Sequence, residues 1–368
     1  EISVNPLGDG QDTWFVSIPI STFVNGGEGT FRIQGLGADT AGNVEVSAAA
    51  GNKDDLVVVF DQTKPSVTTT TPVSIARSNL SLVDPSTFTQ RDSGLAQIKV
   101  ALTDALAGVD FQLFTEVSGG ARIQLFEDLD RDAIVDDGGA DLNVGGTTSQ
   151  DGTNLIFTPV IALPSNGTKD DTYLIRITGR DKARNTLEDT RIFILDTRDP
   201  YALLAYYNDS PALTIGGAAS VNTFVDSIAI VLADTSPSGY VGGVDTINST
   251  FLSLTNLTTG KSINVTQTKK DNLFYFKLAE TQPVAGVYEI LVFARDKNGN
   301  DTSIDRRFIF DRDSPQIRIS PDTGAILNTL AAVTVSLWDT PSGIPASGAT
   351  APAFRWYWDE NRDRNFSA

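Results

Sequence analysis

Three stretches of the sequence superimpose on one another, and this repeat constrains the fold more than any single residue does. GADTAGN with FDQTKP runs from Asp39 to Pro65, GRDKARN with LDTRDP from Asp181 to Pro200, and ARDKNGN with FDRDSP from Asp296 to Pro315. Each carries an Asp four residues before an Asn (Asp39/Asn43, Asp181/Asn185, Asp296/Asn300). An aromatic and apolar run follows, ending in an Asp four residues before a Pro (Asp61/Pro65, Asp196/Pro200, Asp311/Pro315). The prolines lie 200 − 65 = 135 and 315 − 200 = 115 residues apart, so the repeating unit has the size of one β-sandwich. A second landmark, a strand ending in Asp before a Gly turn, recurs at Asp104/Gly108, Asp234/Gly239 and Asp339/Gly343.

These landmarks divide the 368 residues into four pieces. Residues 1–61 read as the C-terminal part of one module, 62–196 and 197–311 as complete modules, and 312–368 as the N-terminal part of another. The chain starts at Glu1 without an initiator Met and reads as an internal or processed piece. Segments such as IKVAL, YLIRI, RIFIL, SIAIV, FYFKL, RFIF and VTVSL alternate or run β-branched and aromatic, bounded by Gly, Pro, Asn and Asp. No stretch sustains a capped helical period. The expected fold class is all-β, built from short strands packed as two-sheet sandwiches.

Composition then removes most chemistry. With Cys 0 and His 0, no disulfide, thiolate metal site, cysteine nucleophile or Ser-His-Asp triad can form. A net charge of −18, from 28 basic and 46 acidic residues, argues against nucleic acid as a partner. No apolar run approaches the roughly 20 residues a membrane-spanning helix needs, so no membrane contact is expected within this segment. What remains is carboxylate chemistry, and carboxylates favour hard cations such as Ca²⁺. The acids are distributed one set per repeat, whereas a catalytic pair would occur once in a concave pocket, so no enzyme activity is expected.

An Asp-x-x-Ser-Gly turn after an early strand, a Tyr-containing strand ending in Asp-x-x-Gly-Asn, and Phe-x-x-Asp-x-x-x-Pro together resemble the immunoglobulin-like repeats of prokaryotic cell-surface proteins, including surface-layer proteins and adhesins. The resemblance covers the whole chain and implies tandem immunoglobulin-like β-sandwich domains in a rod-like array. Arg184 departs from it, standing where the turn Gly is usual. The resemblance also implies that the loop after the second strand and the loop before the last strand lie at the same end as the incoming linker. Asp61 is then expected near Asp104 and Asp181, Asp196 and Asp199 near Asp234 and Asp296, and Asp311 and Asp313 near Asp339. Each set could hold a cation that stiffens a module junction.

Two further acidic loops suggest Ca²⁺ within modules. LFEDLDRDAIVDDGGAD places Asp128, Asp130, Asp132 and Asp136 at positions 1, 3, 5 and 9, with Asp137 beside them. WYWDENRDRNFSA places Asp359, Asn361, Asp363 and Asn365 at positions 1, 3, 5 and 7. The spacing matches the first half of an EF-hand loop, with Ala133 in place of the turn Gly. The alternative is a solvated acidic hairpin with Arg131 or Arg362 as partner. Sequons at Asn79, Asn166, Asn248, Asn256, Asn264 and Asn300 mark candidate glycosylation sites. Sequons without cysteines favour an archaeal surface protein. The expected function is structural, as part of a surface layer or sheath outside the cell that assembles with copies of itself and bears glycans. The alternatives are an adhesin stalk or an accessory region of a secreted polysaccharide-active enzyme.

Overall fold

The computed structural model describes residues 4–6, 14–16, 27–34, 41–43, 55–91, 93–112, 120–136, 139–214, 220–223, 225–279, 284–321, 329, 332–344 and 353. The chain forms two compact units. The first takes in Glu1–Arg198 together with the loop Ser236–Tyr240, and the second takes in Asp199–Thr235 and Val241–Ala368.

The first unit opens with two antiparallel hairpins, β1 (Val4–Pro6) with β2 (Trp14–Val16) and β3 (Gly29–Gln34) with β4 (Asp55–Phe60). A sandwich follows, made of β5 (Ser66–Thr71), β6 (Ile75–Ala76), β7 (Thr89–Gln90), β8 (Ile98–Thr103), β9 (Val109–Asp110) and β10 (Arg122–Glu127). It continues with β11 (Leu142–Val144), β12 (Gly146–Asp151), β13 (Asn154–Pro159), β14 (Asp171–Asp181) and β15 (Thr186–Leu195). One sheet has the order β12-β13-β8-β5, and the other runs β11-β10-β14-β15 with β7 parallel to β15. This is the strand arrangement of an immunoglobulin-like sandwich.

The second unit repeats it. Its strands are β16 (Tyr201–Tyr207), β17 (Ser210–Thr214), β18 (Ser220–Val221), β19 (Ser227–Ala233), β20 (Thr250–Asn256), β21 (Lys261–Ser262), β22 (Val265–Lys270), β23 (Leu273–Leu278), β24 (Gly286–Arg295) and β25 (Asp301–Phe310). The sheets are β17-β16-β19-β23-β22 and β18-β25-β24-β20-β21, with β18 parallel to β25. A last hairpin pairs β26 (Gln316–Ser320) with β27 (Thr334–Trp338). The fold is therefore all-β, with tandem immunoglobulin-like sandwiches.

The repetition extends to details. The first strand of each sandwich slips register three residues after its proline, between Val67 and Thr69 in β5 and between Ala202 and Leu204 in β16. Such a bulge bends the strand and raises its twist. In both β13 and β23 every second residue is buried, the period-2 signature of a strand with one face in the core. In each core a tyrosine near the start of the long strand stacks on the phenylalanine directly opposite. The pairs are Tyr173 on Phe193, with ring centroids 5.3 Å apart, and Tyr288 on Phe308, at 5.2 Å. Aromatic pairs of this kind contribute about 0.5–1.5 kcal/mol beyond the area they bury. Each hydroxyl donates to a carbonyl four residues upstream, Tyr173 to Lys169 O at 2.7 Å and Tyr288 to Val284 O at 2.5 Å. These are tyrosine corners, one per sandwich. Burial pushes the Tyr173 phenol up, so it stays a donor.

The Asp and Asn landmarks close the hairpin between the two longest strands of each sandwich. Asp181 Oδ1 and Oδ2 accept from Asn185 N and Nδ2 at 2.8 and 2.6 Å, and Asp181 N donates to Asn185 O at 3.1 Å. Asp296 and Asn300 make the same three bonds at 2.9, 2.8 and 3.0 Å. The residue before each Asn is left-handed, with φ of +87° at Gly42, +75° at Arg184 and +96° at Gly299. A side chain in that region costs about 1–2 kcal/mol, which accounts for Gly at two of the three positions and makes Arg184 the strained one. Arg184→Gly should therefore raise the stability of the first unit by up to about 1 kcal/mol, read as a higher urea midpoint. An unchanged or lower midpoint would contradict the strain.

Candidate metal centres

Among the described residues of the first unit, two groups of carboxylates each bring oxygens from three aspartates within 4.8 Å of one another. The first joins Asp61, Asp104 and Asp181, with Asp181 fully buried and Asp61 7% exposed. Here backbone amides reach the oxygens. Asp61 Oδ1 accepts from Thr63 N at 3.0 Å and Oδ2 from Ala107 N at 2.9 Å. Asp104 Oδ1 accepts from Leu106 N and Gly108 N at 3.2 and 2.7 Å. Asn185 Nδ2, already bound to Asp181, also donates to Asp61 O and Thr63 O at 3.0 and 3.3 Å. The linker aspartate thus ties the strand leaving one module to the first turn of the next.

The second unit has the same clamp. Asp311 Oδ1 accepts from Asp313 N and Oδ2 from Ser342 N, both at 3.0 Å, and Ser342 Oγ donates to Asp339 Oδ2 at 2.7 Å. Burial pushes the Asp311 carboxyl up, but bonds from Ser342 and the Asp313 amide outweigh it and hold it below the ordinary carboxylate range. In both clamps the amide comes from the third residue after the second aspartate, Ala107 after Asp104 and Ser342 after Asp339. The intermediate set divides between the units, Asp196 belonging to the first and Asp199, Asp234 and Asp296 to the second. In its own unit, Asp196 is fully buried and accepts from Arg198 N at 3.3 Å, the same i+2 turn as at Asp61 and Asp311. Asp234 and Asp296 are buried, and burial holds the Asp296 carboxyl above its usual range despite the Asn300 bonds.

The second group lies in the acidic loop between β10 and β11. It consists of Asp128, Asp130 and Asp141. Asp128, 1% exposed, is held at the end of β10 by its own N–H on Thr172 O at 2.9 Å. Its Oδ2 accepts from Ala133 N at 3.2 Å, and Ala133 takes the left-handed φ of +62° that a glycine would supply there. Asp141 Oδ2 accepts from Asp136 N at 2.9 Å. The other oxygen of each, Asp128 Oδ1 and Asp141 Oδ1, is buried with no hydrogen-bond partner. Desolvation, reinforced by Asp141 and Asp130, pushes the Asp128 carboxyl up to about 6, and desolvation also raises Asp141.

Of the loop residues singled out by spacing, the structure gathers Asp128 and Asp130 but brings in Asp141 instead of Asp132 and Asp136. Asp132 and Asp136 are exposed, and Asp132 Oδ1 accepts from Ile134 N at 2.7 Å. Asp137, and the second loop with Asp359, Asn361, Asp363 and Asn365, lie outside the described residues. Arg131 turns away from the loop, pairing with Asp171 at 3.3 Å and lying over the Tyr240 ring at 5.3 Å. Asp170 carried no repeat signal, yet it is fully buried and binds Ser236 Oγ at 2.5 Å, Thr197 Oγ1 at 2.9 Å and Thr197 N at 3.1 Å.

At two of the sequons the asparagine is buried. Asn256, 1% exposed, accepts from Thr258 N and Thr259 N and donates to Val284 O, and Asn300, 4% exposed, closes the Asp296 turn. A glycan on either would displace those bonds. Asn79, Asn166, Asn248 and Asn264 are exposed.

No known family model matches the sequence, and no curated protein matches it. Among solved structures the chain is similar to a tetra-tandem repeat from the extending region of a large adhesion protein. The identity is 14% over 84% of this chain and 63% of that one, with a TM-score of 0.29. It is also similar to a Ca²⁺-stabilized adhesin that helps an Antarctic bacterium reach out and bind ice, at 12% identity over 80% of this chain and 60% of that one, TM-score 0.25. A titin fragment gives 12% identity over 68% and 98%, TM-score 0.26. The chain spans less than two thirds of either adhesin structure. The immunoglobulin-like assignment rests on strand order and the tyrosine corners.

Asn185→Ala removes the donor shared by Asp181, Asp61 O and Thr63 O and leaves a fully buried carboxylate short of a partner. A loss of roughly 1–3 kcal/mol in the first unit is expected by chemical denaturation. A change below a few tenths would show that the turn is not held by this side chain.

Proposed function

We propose that this chain is a structural segment of an extracellular cell-surface protein, of the surface-layer or sheath type, whose partners are further copies of itself. One observation carries the reading: the two sandwiches repeat strand order, first-strand bulge, tyrosine corner and Asp–Asn turn, so what the chain reiterates is a scaffold. An enzyme would be expected to hold its reacting groups in one concave pocket. Instead the buried carboxylates sit at strand ends in turns, and the linker aspartates Asp61 and Asp311 each grip the next turn.

Ca²⁺ at the acidic loops and exposed sequons belong to the same reading, since both place charge and bulk on the outside of such a scaffold. Chain-to-chain contact has a candidate surface in the first sandwich. Val160 and Ile161 are each 78% exposed beside Leu142, itself 50% exposed, on the rim of a groove that also holds Glu127 and Lys169. Exposed apolar side chains grouped in this way mark association sites more often than scattered ones do.

Electron microscopy of the native cell surface, with gold-labelled antibody to this segment, should find it in a regular array. Isolated fibres would favour a stalk, and absence of label outside the cell would overturn the reading. In purified full-length chain, Ile161→Asp should weaken self-association with the melting temperature unchanged. Peptide mapping of native material should find sugar mass on some of Asn79, Asn166, Asn248 and Asn264, and none on Asn256 or Asn300.

A further inference from the structure

A carboxylate oxygen buried without a donor costs folding free energy unless a proton or a cation meets it. Two such oxygens are Asp128 Oδ1 and Asp141 Oδ1 in the β10–β11 loop, and their two residues, with Asp130, each bring a carboxylate oxygen into one group. Their partner oxygens are already occupied by the Ala133 and Asp136 amides, which fixes the orientation of each carboxylate. The loop's own cation is elsewhere, on Asp171 and Tyr240. Among the described residues, no Lys or Arg is paired with Asp128, Asp130 or Asp141.

The size of the gap fits a metal. Oxygens from the three aspartates lie within 4.8 Å of one another, no more than about twice the Ca²⁺–oxygen distance of roughly 2.3–2.6 Å, so one ion can reach all three. The surroundings are prepared for it. Ala133, whose amide binds Asp128 Oδ2, belongs to a buried cluster that includes Phe126, Leu174, Ile192 and Tyr240, which anchors that end of the loop.

We infer that Asp128, Asp130 and Asp141 bind one hard divalent cation of the Ca²⁺ class, with Asp132 and Asp136 outside the ligand set. Backbone carbonyls and water would complete the shell. The inference rests on the calcium part of the proposed function and names the residues that carry it.

The test uses the full chain, stripped with chelator and then given Ca²⁺ alone or Mg²⁺ alone, followed by hydrogen-exchange mass spectrometry. Added Ca²⁺ should slow exchange of the amides in residues 128–141 at least tenfold. Asp128→Asn and Asp141→Asn should abolish that protection, whereas Asp132→Asn and Asp136→Asn should keep it within about threefold. Asp130 is exposed, so Asp130→Asn supplies the same reading should the buried variants misfold. Unchanged exchange in the parent chain, or a loss in Asp136→Asn equal to that in Asp141→Asn, would overturn the site. Protection confined to the turns of Asp61, Asp104 and Asp181 would overturn this site while leaving calcium at the module junctions standing.

Discussion

A carboxylate taken out of water must be met by donors or by a cation, and that requirement organises this chain. Its buried aspartates have neither histidine nor cysteine to work with. At most of them, backbone amides supply the bonds. Asp181 and Asp296 each fold an asparagine back on themselves, and so close the hairpin between the two longest strands of their sandwich. The closed turn fixes register, because slipping one residue would turn every core side chain of those strands outward. Eight residues before each of these aspartates stands the tyrosine that stacks in the core and ties its hydroxyl to the chain upstream. A polar turn and an aromatic pair thus specify the same pairing from opposite ends of the strand.

Much of this was legible in the sequence because it depends on period and repetition. The strands show as β-branched and aromatic runs, and the repeat shows as Asp and Asn at constant offsets. The purpose of those offsets was harder to read. Spacing alone cannot separate an aspartate that caps amides from one that awaits a metal, since both place carboxylates in turns. Asp141 escaped notice for a related reason: it is thirteen residues beyond Asp128 (141 − 128), across Gly138 and Gly139, outside the alternating pattern of a local loop. Asp170 has no counterpart in the second module, where Ala285 stands three residues before the corner tyrosine. Asn256 and Asn300 carry the sequon but serve as hydrogen-bonding side chains inside turns, a role the tripeptide does not encode.

The accounting of oxygens separates the acidic groups from one another. At Asp61 both carboxylate oxygens receive a backbone amide, and the same holds at Asp311. Those residues satisfy themselves within the fold, and their role as clamps between successive strands needs no added charge. At Asp128 and Asp141 the Ala133 and Asp136 amides each reach Oδ2, and Oδ1 of each is buried without a partner. The difference lies in where the amides fall: at Asp61 and Asp311 they reach both oxygens, whereas at Asp128 and Asp141 one oxygen of each has no donor. In that loop the cationic side chain, Arg131, is drawn off by Asp171 and the Tyr240 ring, so it does not offset the charge of the three aspartates.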